Sequence, residues 1–105
     1  MDKRAVLEII SNFRKALESE GIKTDKLILF GSYATGRHKE DSDIDIVVIS
    51  QDFNDKNYWE RIDILSSAIY EIFEPIEATA FTPEEWERGE SLIVDYAKNG
   101  EVVYG

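Results

Sequence analysis

The chain has 105 residues, a formal net charge of −10 at pH 7, no cysteine and a hydrophobic share of 43%. These values predict one folded domain over residues 1–105 and exclude disulfides and thiolate metal sites. The negative charge disfavours nucleic acid and anionic membranes as partners, and no apolar stretch is long enough to span a membrane. We therefore expect a cytoplasmic protein. Any metal must bind to oxygen ligands, because the chain has a single histidine.

The first half of the chain alternates between helix and strand. Apolar residues at helical spacing predict a helix over residues 6–17. An apolar run predicts a strand over residues 27–30, and the pair Gly31 and Ser32 then turns the chain into a short helix. The next strand is predicted over residues 43–49. It is apolar on both faces, so we expect it to be covered on both sides.

The second half continues the alternation. Apolar periodicity predicts a long helix over residues 58–72 and then a strand over residues 76–81. A capping box with proline at the first helical position, residues 82–85, begins a last helix that we expect to continue to Gly100. Residues 102–104 form a short apolar tail. The order predicts an α/β (α+β) fold, a small mixed β-sheet with helices packed against it.

A carboxylate pair at the start of the second predicted strand is the most informative feature. Asp43 and Asp45 are two residues apart, so in a strand they share a face at a spacing of roughly 6–7 Å. Ten residues separate them from Gly31 and Ser32, a turn whose exposed amides and hydroxyl suit a phosphate group. A phosphate-binding turn beside metal-binding carboxylates indicates phosphoryl or nucleotidyl transfer. In the plainer alternative, Asp43 caps a loop and Asp45 is a solvated strand end.

Glu77 is the candidate for a third carboxylate, since it is the only charged residue of the third predicted strand. A buried, unpaired carboxylate is costly, so Glu77 should be exposed, protonated or bound to a cation. If the third strand lies beside the second, Glu77 completes a three-carboxylate site that magnesium would stabilise. Glu74 is the competing candidate, but it precedes Pro75 at a helix end, where we expect it in solvent. The ligand spacing of an EF-hand calcium site is absent.

Basic and aromatic residues near these motifs have two interpretations. Arg37, His38 and Lys39 form the only basic cluster near the motif. Such a run is usually a solvated loop, and contact with phosphate or with the acceptor is the functional alternative. Four aromatic residues are interpreted as core or interface residues rather than as a base-stacking surface: Tyr58, Trp59, Trp86 and Tyr96. No base-reading motif is present, so adenine specificity is not predicted.

The spacing Gly31-Ser32, ten residues, Asp43-x-Asp45 and a later acidic strand resembles the nucleotidyltransferase domain of the polymerase-beta superfamily. The small size, with no appended substrate domain, is similar to the minimal nucleotidyltransferase branch of that superfamily. The resemblance extends from the first helix to the apolar tail and implies the nucleotidyltransferase fold.

The resemblance also implies an activity. Members bind a nucleoside triphosphate, here expected to be ATP, with phosphates on Gly31 and Ser32 and two magnesium ions on Asp43, Asp45 and Glu77. They transfer the nucleoside monophosphate to a hydroxyl, and Glu77 would help to deprotonate that acceptor. The third acidic residue of the family is commonly aspartate, so glutamate here departs from the pattern.

The minimal branch implies a partner as well. Its members are often encoded beside a helical HEPN-domain ribonuclease and act as its antitoxin by adenylylating a tyrosine. We therefore expect a HEPN-domain toxin as the partner, in a hetero-oligomer. Two alternatives stay open: a binding module that neutralises its partner by occlusion, and transfer to a small molecule such as an aminoglycoside. The latter would normally need a larger substrate pocket.

Overall fold

Four strands and five helices, with one short 3-10 turn, follow one another in the computed structural model, which describes residues 1–105. In chain order they are α1 (Lys3–Ser19), β1 (Lys26–Phe30), α2 (Ser32–Thr35), β2 (Ile44–Ile49), the 3-10 turn (Gln51–Phe53), α3 (Tyr58–Ile72), β3 (Ile76–Phe81), α4 (Pro83–Arg88), α5 (Leu92–Ala97) and β4 (Glu101–Tyr104). None of the helices combines the length and the apolar character that crossing a membrane requires.

The strands form one mixed sheet in the order β3-β2-β1-β4. β1 pairs antiparallel with both β2 and β4, whereas β2 and β3 pair in parallel. The register places Asp45 of β2 between Phe30 of β1 and Glu77 of β3. The predicted mixed sheet is therefore confirmed. The third strand also lies beside the second, which is the condition stated for Glu77.

β2 is covered on both faces, as its apolar pattern predicts. Ile44, Ile46 and Val48 belong to the larger core cluster, which α1 and α3 close from one side. Val47 and Ile49 face the other side and pack with residues of α4 and α5. Within β2 only Asp45, near the start of the strand, stays partly open to solvent.

Local signals explain where the helices begin. Asp2 caps α1 by accepting a hydrogen bond from the Ala5 amide. Capping boxes begin both α3, at Asn57, and α4, at Thr82, and Pro83 takes the first position of α4. Satisfying the free amides of a helix start in this way contributes about 1 kcal/mol per cap.

The prediction of one last helix up to Gly100 is wrong. The helix ends at Arg88, because Gly89 adopts a left-handed conformation with φ of 65°, and Ser91 caps a separate helix, α5. Residues 102–104 are also more than a tail. They belong to β4, which pairs with the edge of β1 that β2 leaves free.

Candidate active site

The turn between β1 and α2 depends on a glycine. Gly31 has φ of 73° and ψ of −154°, a backbone region that is essentially restricted to glycine. A Cβ atom at this position would collide with the Asp45 carboxylate, specifically with Oδ2. Glycine therefore allows both the turn and the close approach of the turn to Asp45. Because no side chain caps α2, the first amides of that helix are left to other partners.

Asp45 and Glu77 form the centre of the candidate site. They are register partners on the parallel strands β2 and β3, and Glu77 is close enough to Asp45 to raise its pKa. Asp45 is half-buried, whereas Glu77 is exposed, which is one of the states expected for it from the sequence. Burial raises the pKa of Asp45 to about 6, aided by the hydrogen bond and charge of Glu77 and by the charge of Asp43.

Asp43 lies one residue before β2, not within it as predicted. Strand geometry therefore does not fix its side chain on the same face as Asp45. It is exposed, and its negative charge still acts on Asp45. Glu74, the competing candidate, is half-buried instead of lying in solvent, and its charge is not among the causes of the Asp45 shift.

The carboxylates suit a divalent cation by their chemistry more than by their present arrangement. Oxygen ligands are those that magnesium prefers, and burial together with the charges of Glu77 and Asp43 raises the pKa of Asp45, which a bound cation would oppose. However, no group of three or more aspartate, glutamate or histidine side chains is placed to hold a metal ion. Asp45 and Glu77 are the two that strand pairing places side by side.

A cavity of about 460 Å³ lies beside the turn. Six residues line it: Phe30, Gly31, Ser32, Thr35, Arg37 and Tyr96. Arg37 is exposed, and no ion pair involves it. Arg37 is therefore the residue of the basic cluster that lines the same cavity as the candidate phosphate-binding turn.

The other two basic residues face elsewhere. His38 stacks on Tyr33, with 4.4 Å between the ring centroids, and its Nδ1 atom is buried without a partner. The Lys39 amide donates a hydrogen bond to the Ser42 hydroxyl within the loop. Neither residue lines the cavity beside the turn.

Three of the four aromatic residues interpreted as core or interface residues do not lie in the core, and an interface role for them stays a prediction. Tyr58, Trp59 and Tyr96 are 67%, 71% and 70% exposed. Trp86 alone packs inside, with its ring 5.8 Å from that of Phe81. The position of Tyr96 in the cavity is not predicted from the sequence. The usable signal was the helical phase of α5, in which Val94 and Ala97 are the inward residues.

Comparisons with known proteins show the family and the fold of the chain. The family described as nucleotidyltransferase domain matches residues 10–103. Two proteins of Methanocaldococcus jannaschii, both provisionally named protein adenylyltransferases, are 42% identical to this chain over 45 and 53 residues. These alignments cover 42% and 50% of this chain, and 46% and 49% of the relatives. The chain thus matches about half the length of each relative.

Two solved structures share the fold. A provisionally assigned nucleotidyltransferase from Sulfolobus solfataricus superimposes with a TM-score of 0.70 at 19% identity, over 93% of this chain and 78% of that chain. A toxin-antitoxin with AMP-PNP gives a TM-score of 0.63 at 22% identity, over 90% of this chain and 72% of that chain. Because the family match extends over nearly the whole chain, residues 10–103, this chain belongs to the nucleotidyltransferase domain family.

Proposed function

We propose that this chain is a magnesium-dependent adenylyltransferase of the cytoplasm that transfers AMP from ATP to a protein hydroxyl. The acceptor is a tyrosine of a HEPN-domain ribonuclease toxin, and the chain acts as its antitoxin. The observation that carries the proposal is the close approach of Asp45, the register partner of Glu77, to the Gly31 turn. The provisional names of the two relatives and the toxin-antitoxin with AMP-PNP support it.

In this proposal the turn binds the phosphates. The amides that follow Gly31 lack a side-chain cap, and Arg37 adds a positive charge to the same cavity. Because Gly31 lies against the Asp45 carboxylate, a phosphate on the turn lies next to the carboxylates. Positioning of this kind supplies much of the catalysis of phosphoryl transfer.

The carboxylates act on the reacting end of the nucleotide. Asp43, Asp45 and Glu77 would hold magnesium, which supplies counter-charge to the entering and leaving oxygens. Glu77 is exposed, so it is accessible to an acceptor hydroxyl and accepts its proton. The acceptor oxygen then bonds to the α-phosphorus, the bond to the β-phosphate breaks, and pyrophosphate leaves.

A protein acceptor suits the surface around the site. Asp43 and Glu77 are exposed at the open end of the sheet, so a bulky acceptor can reach them. The formal net charge of −10 attracts a basic partner and speeds its association. The partner would then position its own acceptor hydroxyl, so this chain would need no separate surface for that task.

Transfer of label from ATP tests the proposal. The chain is incubated with ATP labelled at the α-phosphate, with magnesium and with the product of the neighbouring gene. We expect label on that partner, and none with Asp43→Asn/Asp45→Asn. Asp63→Asn, an exposed position on α3, is the matched control and should retain transfer. Absence of label, while a known homologue modifies its own partner, contradicts the proposal.

A second candidate function is neutralisation by binding alone. The observation that favours it is that no three carboxylates are placed to hold a metal ion. Under this alternative, Asp43→Asn/Asp45→Asn still neutralises the toxin in cells. Loss of neutralisation by a variant that still forms the complex would exclude it.

A further inference from the structure

The cavity beside the Gly31–Ser32 turn is larger than a phosphate group requires. Its volume of about 460 Å³ falls in the range of small-molecule sites, about 300–1,000 Å³. A second cavity of about 260 Å³ adjoins it and shares four lining residues: Phe30, Gly31, Thr35 and Tyr96. The space next to the turn can therefore receive more of a nucleotide than its phosphates.

Two aromatic residues form the apolar part of this space. Phe30 ends β1, is half-buried, and is the register partner of Asp45. Tyr96 lies on α5, which packs against β1 through the buried residues Val94 and Ala97. The helix is thus fixed in place while the Tyr96 side chain stays 70% exposed and lines both cavities.

We propose that Phe30 and Tyr96 form the surface that binds the base of the nucleoside triphosphate. This inference rests on the proposed function, because it takes the phosphates to lie on Gly31 and Ser32. An aromatic ring stacks on the face of any base, so the ligand class is a nucleoside triphosphate rather than ATP alone. The Thr35 hydroxyl is already engaged, since it donates to the carbonyls of Gly31 and Ser32.

Another groove can be set aside on geometry. A groove of about 480 Å³ lies between α3 and β3 and also contains an exposed tyrosine, Tyr58. None of the residues of the glycine-serine turn line it, whereas Gly31 and Ser32 line the cavity that contains Tyr96. A triphosphate whose phosphates lie on the turn therefore reaches Tyr96 and not Tyr58. Tyr58, 67% exposed, provides a matched control.

Calorimetric titration of the full chain separates base binding from phosphate binding. The two probes are AMP-PNP and inorganic tripolyphosphate, each with magnesium. We expect Tyr96→Ala to weaken AMP-PNP binding about tenfold and to leave tripolyphosphate binding unchanged. Tyr96→Phe should retain the affinity for AMP-PNP, because the stacking ring is kept. Tyr58→Ala should change neither affinity.

Each other outcome counts against the inference. Unchanged affinity of Tyr96→Ala for AMP-PNP overturns it, and so does an equal loss for both probes in a variant with an unchanged circular dichroism spectrum. Loss of AMP-PNP binding in Tyr58→Ala alone moves the base to the other groove. If the wild-type chain binds neither probe, the proposed function fails first, which distinguishes the two failures.

Discussion

Asp45 is a weaker acid than an ordinary aspartate. Burial, together with the hydrogen bond and charge of Glu77, raises its pKa from 3.8 to about 6 in the folded chain. A raised pKa means that the folded state binds the proton more tightly than the unfolded state does. Asp45 therefore favours folding below about pH 4, and this contribution is lost as the pH rises through about 6.

Asp45→Asn should stabilise the metal-free chain at pH 8 and do so much less at pH 4. The pKa difference corresponds to about 3 kcal/mol, which we reduce to about 1 kcal/mol for solvent screening. Urea unfolding with EDTA at both pH values measures the gain. Asp63→Asn, on the exposed face of α3, should show no such pH dependence. An equal gain for Asp45→Asn at both pH values would refute this account of its electrostatics.

Individual residues differ in how far the sequence predicts them. The spacing of Gly31, Ser32 and Asp45 is enough to predict them as site residues, because a turn and a strand are each defined by a few consecutive residues. Glu77 is identified as the lone charge of its strand, and the structure pairs it with Asp45. Tyr96 is not assigned, because the phase of α5 that exposes it can be read only once Gly89 is recognised as a helix end.

At the scale of elements, one arginine connects α3 to its neighbours. Arg61 donates to Glu85 of α4 at 2.6 Å and to the carbonyls of Phe53 and Lys56 at 2.8 and 3.0 Å. Burial alone would raise the pKa of Glu85, but the hydrogen bonds from Arg61 and Thr82 outweigh it and lower the pKa. The two elements that flank β3, the strand of Glu77, are thus joined by one side chain.

Arg61→Ala should destabilise the fold by about 2 kcal/mol, because Glu85 and the carbonyls of Phe53 and Lys56 lose the hydrogen bonds that Arg61 donates. Arg61→Lys should recover part of this, since lysine keeps the charge but not the fork of donors. The midpoint of urea unfolding measures both. The control is Lys98→Ala, which breaks an exposed ion pair of 4.0 Å and should cost under about 0.5 kcal/mol. Equal costs for Arg61→Ala and Lys98→Ala would contradict the linking role.

Elements governed by local signals are predicted well. The bounds of α3 and β3 agree with the sequence prediction, because a capping box, apolar periodicity and Pro75 act locally. The sequence prediction joins α4 and α5 into one helix, because it does not treat Gly89 as a helix end. β4 was missed for another reason. Its pairing with β1 joins residues more than 70 positions apart. A run of three apolar residues does not indicate which distant strand it pairs with.

At the scale of the whole molecule, the sheet order creates the candidate site. Parallel pairing of β2 with β3 brings Asp45 and Glu77 into register, although 31 residues separate them in the chain. The antiparallel pairing of β1 with β2 brings the glycine turn to the same end of the sheet. The sequence predicts the parts of this site. These parts come together only through the strand order of the sheet, which no local sequence pattern predicts.

Calorimetric titration of AMP-PNP into the wild-type chain, with magnesium and then with EDTA, tests the central claim most directly. That claim is that the carboxylates and the turn form one metal-dependent nucleotide site. We predict binding with magnesium and at least tenfold weaker binding in EDTA or in Asp43→Asn/Asp45→Asn, while Asp63→Asn binds as the wild type does. Equal affinity with and without magnesium, or full affinity in the double variant, would contradict the account.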